Sequence, residues 1–369
     1  MSIAFLETER ENLLPLTWTR PVADIRVGIL TIREKWALAG LDHSGGHDLE
    51  INNAVCPTPG LMAEIKSLER GHSLWVSGFC IASSTYPEIL KIESKEQPTI
   101  IRRPYDIFCC NDAEIKNDFE LLTKGRKSQP LPGSNTVVGS GEIFLEKGAK
   151  VEASVLNASA GPIYIGEDAE VMEGCMIRGP FALGAHAVLK MGAKIYGATT
   201  IGPGCKAGGE VNNSVFFANS NKAHDGFIGN SVIGEWCNLG ADTNCSNLKN
   251  TYGEVDVYNY ASKKNEGSGL QFCGLIMGDH AKCGINTMFN TGTVVGVCAN
   301  VFGGGFPPKF IPDFSWGNGV PRFDTCQIDK AMETIARVWE RRGKKLEEKD
   351  KALLETIFAQ TSPYRLEEE

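Results

Sequence analysis

Between Ile165 and Val211 the hydrophobic positions recur every six residues. Counting from Ile165, the positions Val171, Ile177, Leu183, Leu189, Ile195, Ile201 and Ala207 are all aliphatic or small. Four residues beyond each stands a small or compact side chain in all but one case, Phe181, as at Ala169, Cys175, Ala187 and Cys205, and glycine often follows the first position, as at Gly166, Gly184 and Gly202. Such a period matches neither the 3.6 of a helix nor the alternation of a strand. It fits one short strand and one turn per hexapeptide, with the large aliphatic pointing inward and glycine permitting the corner. The pattern therefore predicts a parallel β-helix of hexapeptide repeats. The frame returns at Phe227, Ile233, Leu239 and Cys245, and again at Met277, Cys283, Phe289, Val295 and Val301. Three blocks in one format make the assignment specific.

Before the repeats, residues 1–131 have an α/β texture. A short strand at Ile3–Leu6 precedes a turn bounded by Pro15 and Pro21, and the second half of Leu13–Trp36 reads as helical. Gly40–Asp48 reads as a polar loop, Leu61–Glu69 as an amphipathic helix, Leu74–Ala82 as a buried strand and Asp106–Leu122 as another helix. Alternation of this kind implies a partly parallel sheet with helices packed on it. Lys124–Ser134 is the expected linker to a β-helix domain over 132–306, whose frame starts at Val137 and Ile143. Two polar stretches interrupt that domain. Phe216–Phe227 is expected to bulge from the coil, and Ser246–Leu270 to form an insertion. In the third region, 307–369, Ile328, Met332, Ile335 and Trp339 predict one helix, and Leu353, Leu354, Ile357 and Phe358 a second. Together these are expected to cap the open end of the β-helix, covering its strand edges.

A net charge of -8 over 369 residues argues against a nucleic-acid or anionic-membrane partner, since no Lys/Arg block offsets the acidic excess and the charged run Arg341–Lys351 mixes both signs. No apolar stretch approaches the roughly 20 residues of a membrane span. The start of the chain lacks a signal peptide's basic and apolar regions. Of the 12 cysteines, Cys175, Cys205, Cys237, Cys245 and Cys283 fall at core positions of the repeat, and none forms a Cys-x-x-Cys pair. A protein in a reducing cytoplasm is the expectation.

The chemistry is sought where the chain leaves the frame. His224 sits in the polar stretch, and an imidazole is the side chain suited to take a proton near neutral pH. His186 and His280 fall at outward repeat positions and read as surface residues. Ser220–Asn247, with Lys222, His224, Phe227, Gly229, Asn238, Ala241, Thr243 and Asn247, resembles the active-site segment of the bifunctional family that acetylates glucosamine 1-phosphate and uridylylates the product. Gly278–Gly296 resembles the coils that follow, and the chain as a whole resembles the short divergent bacterial form of that family. The resemblance implies a reduced nucleotidyltransferase-like α/β domain, then a left-handed parallel β-helix acyltransferase domain with a C-terminal helical cap. It implies His224 as general base for acetyl transfer from acetyl-CoA. Glu210, Lys194, Lys222, Phe227, Asn238 and Asn247 would contact the sugar phosphate, and Ala241 and Gly303 the coenzyme. It also implies a homotrimer with sites between subunits. Phe227 replaces a tyrosine, and Asp225 follows the histidine, both departures from the family pattern.

For the N-terminal half the resemblance implies UTP and Mg²⁺. The usual glycine loop is missing, however, and PLTWTRP stands in its place. Thr17, Arg20, Arg26 and Lys35 are the nucleotide-binding candidates, with Arg20 and Lys35 facing a triphosphate. Phe79 stands where a metal-binding carboxylate is expected, so the metal ligands stay unassigned. The alternative reading is a nucleotidyltransferase for another sugar 1-phosphate whose β-helix only assembles subunits or binds ligands. A carbonic-anhydrase-like zinc site would need three clustered histidines, and His186, His224 and His280 lie in unmatched contexts.

Overall fold

The six-residue frame becomes three sheets that form the faces of a prism, parallel throughout except for the terminal strand Asp324–Thr325, which pairs antiparallel with Ser315–Gly317. In this computed structural model residues 3–41, 49–84, 88 and 90–365 are described. The first face has nine strands, the second ten and the third six. The third is continued by the pair Asn244–Cys245 and Met288–Phe289. Ile163 lies opposite Phe181 and Phe181 opposite Thr199, so a full coil takes three hexapeptides. The inward column, including Ile165, Ile177, Leu189 and Ile201, is buried in one continuous core. That burial is what the period encodes, since each large side chain removed from water contributes roughly 1.5–3 kcal/mol.

The expected bulge at Phe216–Phe227 is absent. Phe216 pairs with Ile201, Lys222 with Ala207 and Ile228 with Val211, so the segment stays in the coil. Two short corners break the six-residue count: Gly208 and Gly209 bring Val211 inward only four residues after Ala207, and Phe216 follows Val211 after five. The frame then lands on Ile228 rather than Phe227, and Phe227 points outward. The later insertion does leave the coil. Val232 is followed on its face by Ile276, and between them Asp256–Asn259 pairs with Lys264–Gly267 as a hairpin.

One edge of the prism has an unusual backbone. Asp168, His186, Asn219, Trp236, His280, Cys298 and Phe314 occupy it with φ between +52° and +62°, and Gly204 holds the coil between His186 and Asn219 at +66°. Side chains as large as Trp236 and Phe314 rarely tolerate this conformation. Here they are held by packing. Helices α4 (Ile328–Glu340) and α5 (Glu348–Gln360) lie along this edge, burying Val297, Cys298 and Phe314 with Ile335, Leu354 and Ile357. The far end of α4 reaches back several coils, where Arg342 Nη2 donates to the carbonyl of Gly204 at 3.1 Å. The helices thus line the side of the β-helix rather than capping its end. The same geometry corrects the reading of His280, which is buried between Trp236 and Trp339, whereas His186 in the same column lies beyond the helices and is exposed.

The N-terminal domain is a five-stranded sheet in the order β1 (Ile3–Leu6), β2 (Leu49–Asn52), β4 (Phe79–Ser84), β3 (His72–Val76), β5 (Leu90–Glu93). The single strand expected over Leu74–Ala82 is a hairpin, because Ser77 and Gly78 both adopt positive φ and turn the chain. Helical structure within Leu13–Trp36 is confined to short turns and the start of α1 (Ile32–Leu38), capped by Thr31. From residue 42 on, the loop expected at Gly40–Asp48 lies outside the described residues. Helix α2 covers Pro59–Lys66. Helix α3 (Asp106–Thr123) lies on the first face, where Phe119 meets Phe144 edge-on at 6.5 Å. Outward residues of that face, among them Val215, Val232, Ile276 and Val294, join the N-terminal core. This face is therefore buried on both sides.

Candidate functional site

The third face collects the residues that the sequence scattered. Lys194 pairs with Glu210 and Glu210 with Phe227, so the three form one outward column on consecutive coils. Lys194 is exposed, while Glu210 and Phe227 are half-buried. Beside them runs a second column in which Tyr196 pairs with Asn212 and Asn212 with Gly229. Tyr196 donates its phenolic proton to Glu210 Oε1 at 2.5 Å, and this bond holds the phenol up at about 12. Gly229 has no side chain for a local reason, since a Cβ there would fall 2.6 Å from Phe227 Cζ and 2.7 Å from Asn247 Nδ2. Asn247 in turn donates to Asn230 Oδ1 at 2.8 Å. Tyr196, Asn212 and Asn230 were missed in the sequence, Asn212 and Asn230 because the shortened corners shift the register of the coils that carry them. Tyr196 was within reach of inference, lying two residues along the same strand face from Lys194.

His224 stands exposed on the edge where the second face turns into the third. Ala241 and Gly303 lie on that same edge in later coils, with exposed Ile285 between them and Phe302 beside Gly303. Asn238 is apart from the third-face group. It points outward from the second face, opposite Asn221 and Lys282. Lys222 offers nothing to an external ligand. It is buried inside the coil, and its ammonium donates to the carbonyls of Gly208, His224 and Asp225.

The four N-terminal candidates do not converge on a ligand surface. Arg20 is clamped between Glu235, at 2.7 Å, and Asp279 of the β-helix. These two carboxylates raise its pKa against the opposing effect of burial. Arg26 donates to the carbonyls of Phe217, at 3.1 Å, and Ile29. Thr17 is buried and donates to the Arg10 carbonyl at 2.6 Å. Lys35 lines a cavity of about 440 Å³ with Thr58, Lys66 and Lys124, but its ammonium is taken by Glu114, at 2.8 Å, and Asp118. A triphosphate placed there would meet two carboxylates. Among the described residues no group of three or more His, Cys, Asp or Glu could hold a metal ion. The carboxylates of Glu114 and Asp118 beside the cavity are already bound by the Lys35 ammonium, so the ligands of the Mg²⁺ expected of a nucleotidyltransferase stay unassigned.

Fold and site together define a hexapeptide-repeat β-helix joined to a small α/β domain. Residues 2–40 and 39–127 match the family model described as sugar nucleotidyl transferase. Among curated proteins, the chain is 39% identical over 87 residues to the bifunctional protein GlmU of Methanocaldococcus jannaschii, a match covering 24% of this chain and 21% of that one. It is 32% identical over 150 residues to the bifunctional sugar-1-phosphate nucleotidylyltransferase/acetyltransferase of Sulfurisphaera tokodaii, covering 39% and 36%. The chain thus spans between a fifth and about a third of the length of these relatives. Among solved structures, the polySia-specific acetyltransferase NeuO superposes with a TM-score of 0.30 at 15% identity, over 57% of this chain and 99% of that one. That likeness is too loose to bear on mechanism. No helix among the described residues is long and apolar enough to cross a membrane.

Proposed function

We propose that the β-helix transfers an acetyl group from acetyl-CoA to the amine of an amino-sugar 1-phosphate, glucosamine 1-phosphate being the first candidate. The observation that carries this is the column of Lys194, Glu210 and Phe227, with Asn247 beside it, on the face that ends at His224. Lys194 would take the phosphate, Glu210 the ammonium or a hydroxyl, and Asn247 a further hydroxyl. His224 would remove the amine's proton as nitrogen attacks the thioester carbon, and the thiolate of coenzyme A would leave. Ala241 and Gly303, on the same edge, leave room for the coenzyme's narrow chain, and exposed Ile285 and Phe302 offer it an apolar surface. A homotrimer, with a neighbouring subunit closing the exposed third face, belongs to this reading and is testable by light scattering.

Coenzyme A release should be measured with glucosamine 1-phosphate as acceptor, in wild type and in His224→Ala at equal folding. Loss in the variant of at least a hundredfold is expected from removal of a general base. Equal rates would remove His224 from the chemistry. A second reading, uridylyl transfer from UTP by the N-terminal domain, is favoured by the family match over residues 2–127. It is checked by pyrophosphate release from UTP with N-acetylglucosamine 1-phosphate.

A further inference from the structure

Lys222 occupies a place in the β-helix where the repeat calls for an aliphatic side chain. The inward column of the second face runs Val171, Leu189, Ala207, Lys222, then Leu239 and Cys283, and Lys222 is 1% exposed. Ala207 below it leaves space for the longer chain. At its end the ammonium donates to the carbonyls of His224 at 2.7 Å, Gly208 at 3.1 Å and Asp225 at 3.1 Å. Three donors meet three acceptors, which is the full capacity of an ammonium. No carboxylate among the described residues forms an ion pair with it. The charge is therefore spent on backbone, two of the carbonyls on the corner that carries His224 and the third, Gly208, on the corner of the coil beneath. That corner lies tightly on the coil beneath, since a Cβ on Gly208 would fall 2.6 Å from the Ala223 carbonyl and one on Gly209 2.8 Å from Asp225 Cα.

We propose that Lys222 is a positioning residue, whose ammonium gathers the carbonyls of the 223–226 corner from inside the β-helix and so fixes His224 for proton transfer. This rests on the acetyltransferase reading for its functional half, while the ordering of the corner stands without it. Burial lowers the Lys222 pKa to about 8, against the opposing effect of Asp225, Asp242 and the Cys283 thiol. Above that pH the amine has two protons for three carbonyls, and the corner loosens. The sign for global stability is opposite. Because the unfolded chain holds this proton up to a higher pH, the group's contribution to stability rises between about pH 8 and 10.5. A purely structural lysine would move activity and stability together, whereas a positioning lysine separates them.

The test compares wild type with Lys222→Met, which refills the column with an apolar chain of similar length. Hydrogen exchange of the 223–227 amides is expected to accelerate at least tenfold in the variant while exchange elsewhere is unchanged. In the acetyl-transfer assay kcat should fall at least tenfold with KM for acetyl-CoA within twofold, and the wild-type loss of kcat above pH 8 should disappear. Unchanged exchange at 223–227 would overturn the proposal whatever the activity. So would a variant that keeps wild-type kcat and the alkaline limb. Where wild type releases no coenzyme A, the acetyltransferase reading fails by itself and the exchange result still decides whether Lys222 orders the corner. Should Lys222→Met not fold, wild-type exchange at 223–227, normalised to the 163–201 coils, must rise across pH 7 to 9, and a flat ratio refutes the ordering role.

Discussion

Arg20→Met separates an architectural arginine from a nucleotide-binding one. Arg20 has a side-chain exposure of 9%, and Asp279 one of 4%, so the pair is shielded from water. Removing one member of a buried ion pair costs roughly 3–5 kcal/mol, because the remaining charge stays buried. Asp279 would retain the Thr19 hydroxyl at 2.6 Å and the Glu235 amide at 2.8 Å, and Glu235 is 30% exposed and can be rehydrated. The expected loss therefore lies near the lower end, about 3 kcal/mol. Loss of the guanidinium's contact with the Phe217 ring, 5.1 Å away, adds a smaller amount. Chemical unfolding followed by circular dichroism and by tryptophan fluorescence would read it. Arg20→Met with Asp279→Asn should recover at least half of the loss, since the uncompensated charge is then gone. A single variant within about 0.5 kcal/mol of wild type would refute the interface argument. Reduced UTP binding at unchanged stability would instead return Arg20 to a ligand site.

Three further outcomes follow from the geometry. Asp313 is buried and accepts from the Tyr260 hydroxyl at 2.9 Å and the Val297 amide at 2.7 Å, and burial pushes it up to about 6. Since the folded state holds this proton more tightly than the unfolded one, the group costs stability as pH rises from about 4 to 6. Asp313→Asn should then be level with or above wild type at pH 7, by about 1–3 kcal/mol, with the gap closing by pH 4 in thermal melts. Trp339→Ala should release α4 from the Trp236 and His280 rings and cost about 1–3 kcal/mol, read as a change in Trp236 fluorescence before global unfolding. Tyr196→Phe removes the donor to Glu210, and the expected result is a several-fold rise in KM for the sugar phosphate with kcat little changed, measured by coenzyme A release.

The hexapeptide frame was legible because it is local: each large residue from Ile165 to Ile201 faces the same interior as the one six positions earlier, whatever surrounds the coil. The helices α3, α4 and α5 were legible for the same reason, from spacing along a few turns. What spacing does not carry is where a corner loses residues. Two shortened corners, four residues from Ala207 to Val211 and five from Val211 to Phe216, moved Lys222 to the interior and Phe227 outward, reversing the roles both had by pattern. Nor does it carry which edge a distant helix covers. His186 and His280 hold equivalent places in the repeat, and only the packing of α4 buries one and leaves the other in water. The charges of Arg20 and Lys35 looked available for a phosphate because sequence shows a cation but not its partner. Asp279 lies far along the chain from Arg20, and Glu114 and Asp118 far from Lys35, so tertiary contact alone decided that these charges hold the structure together.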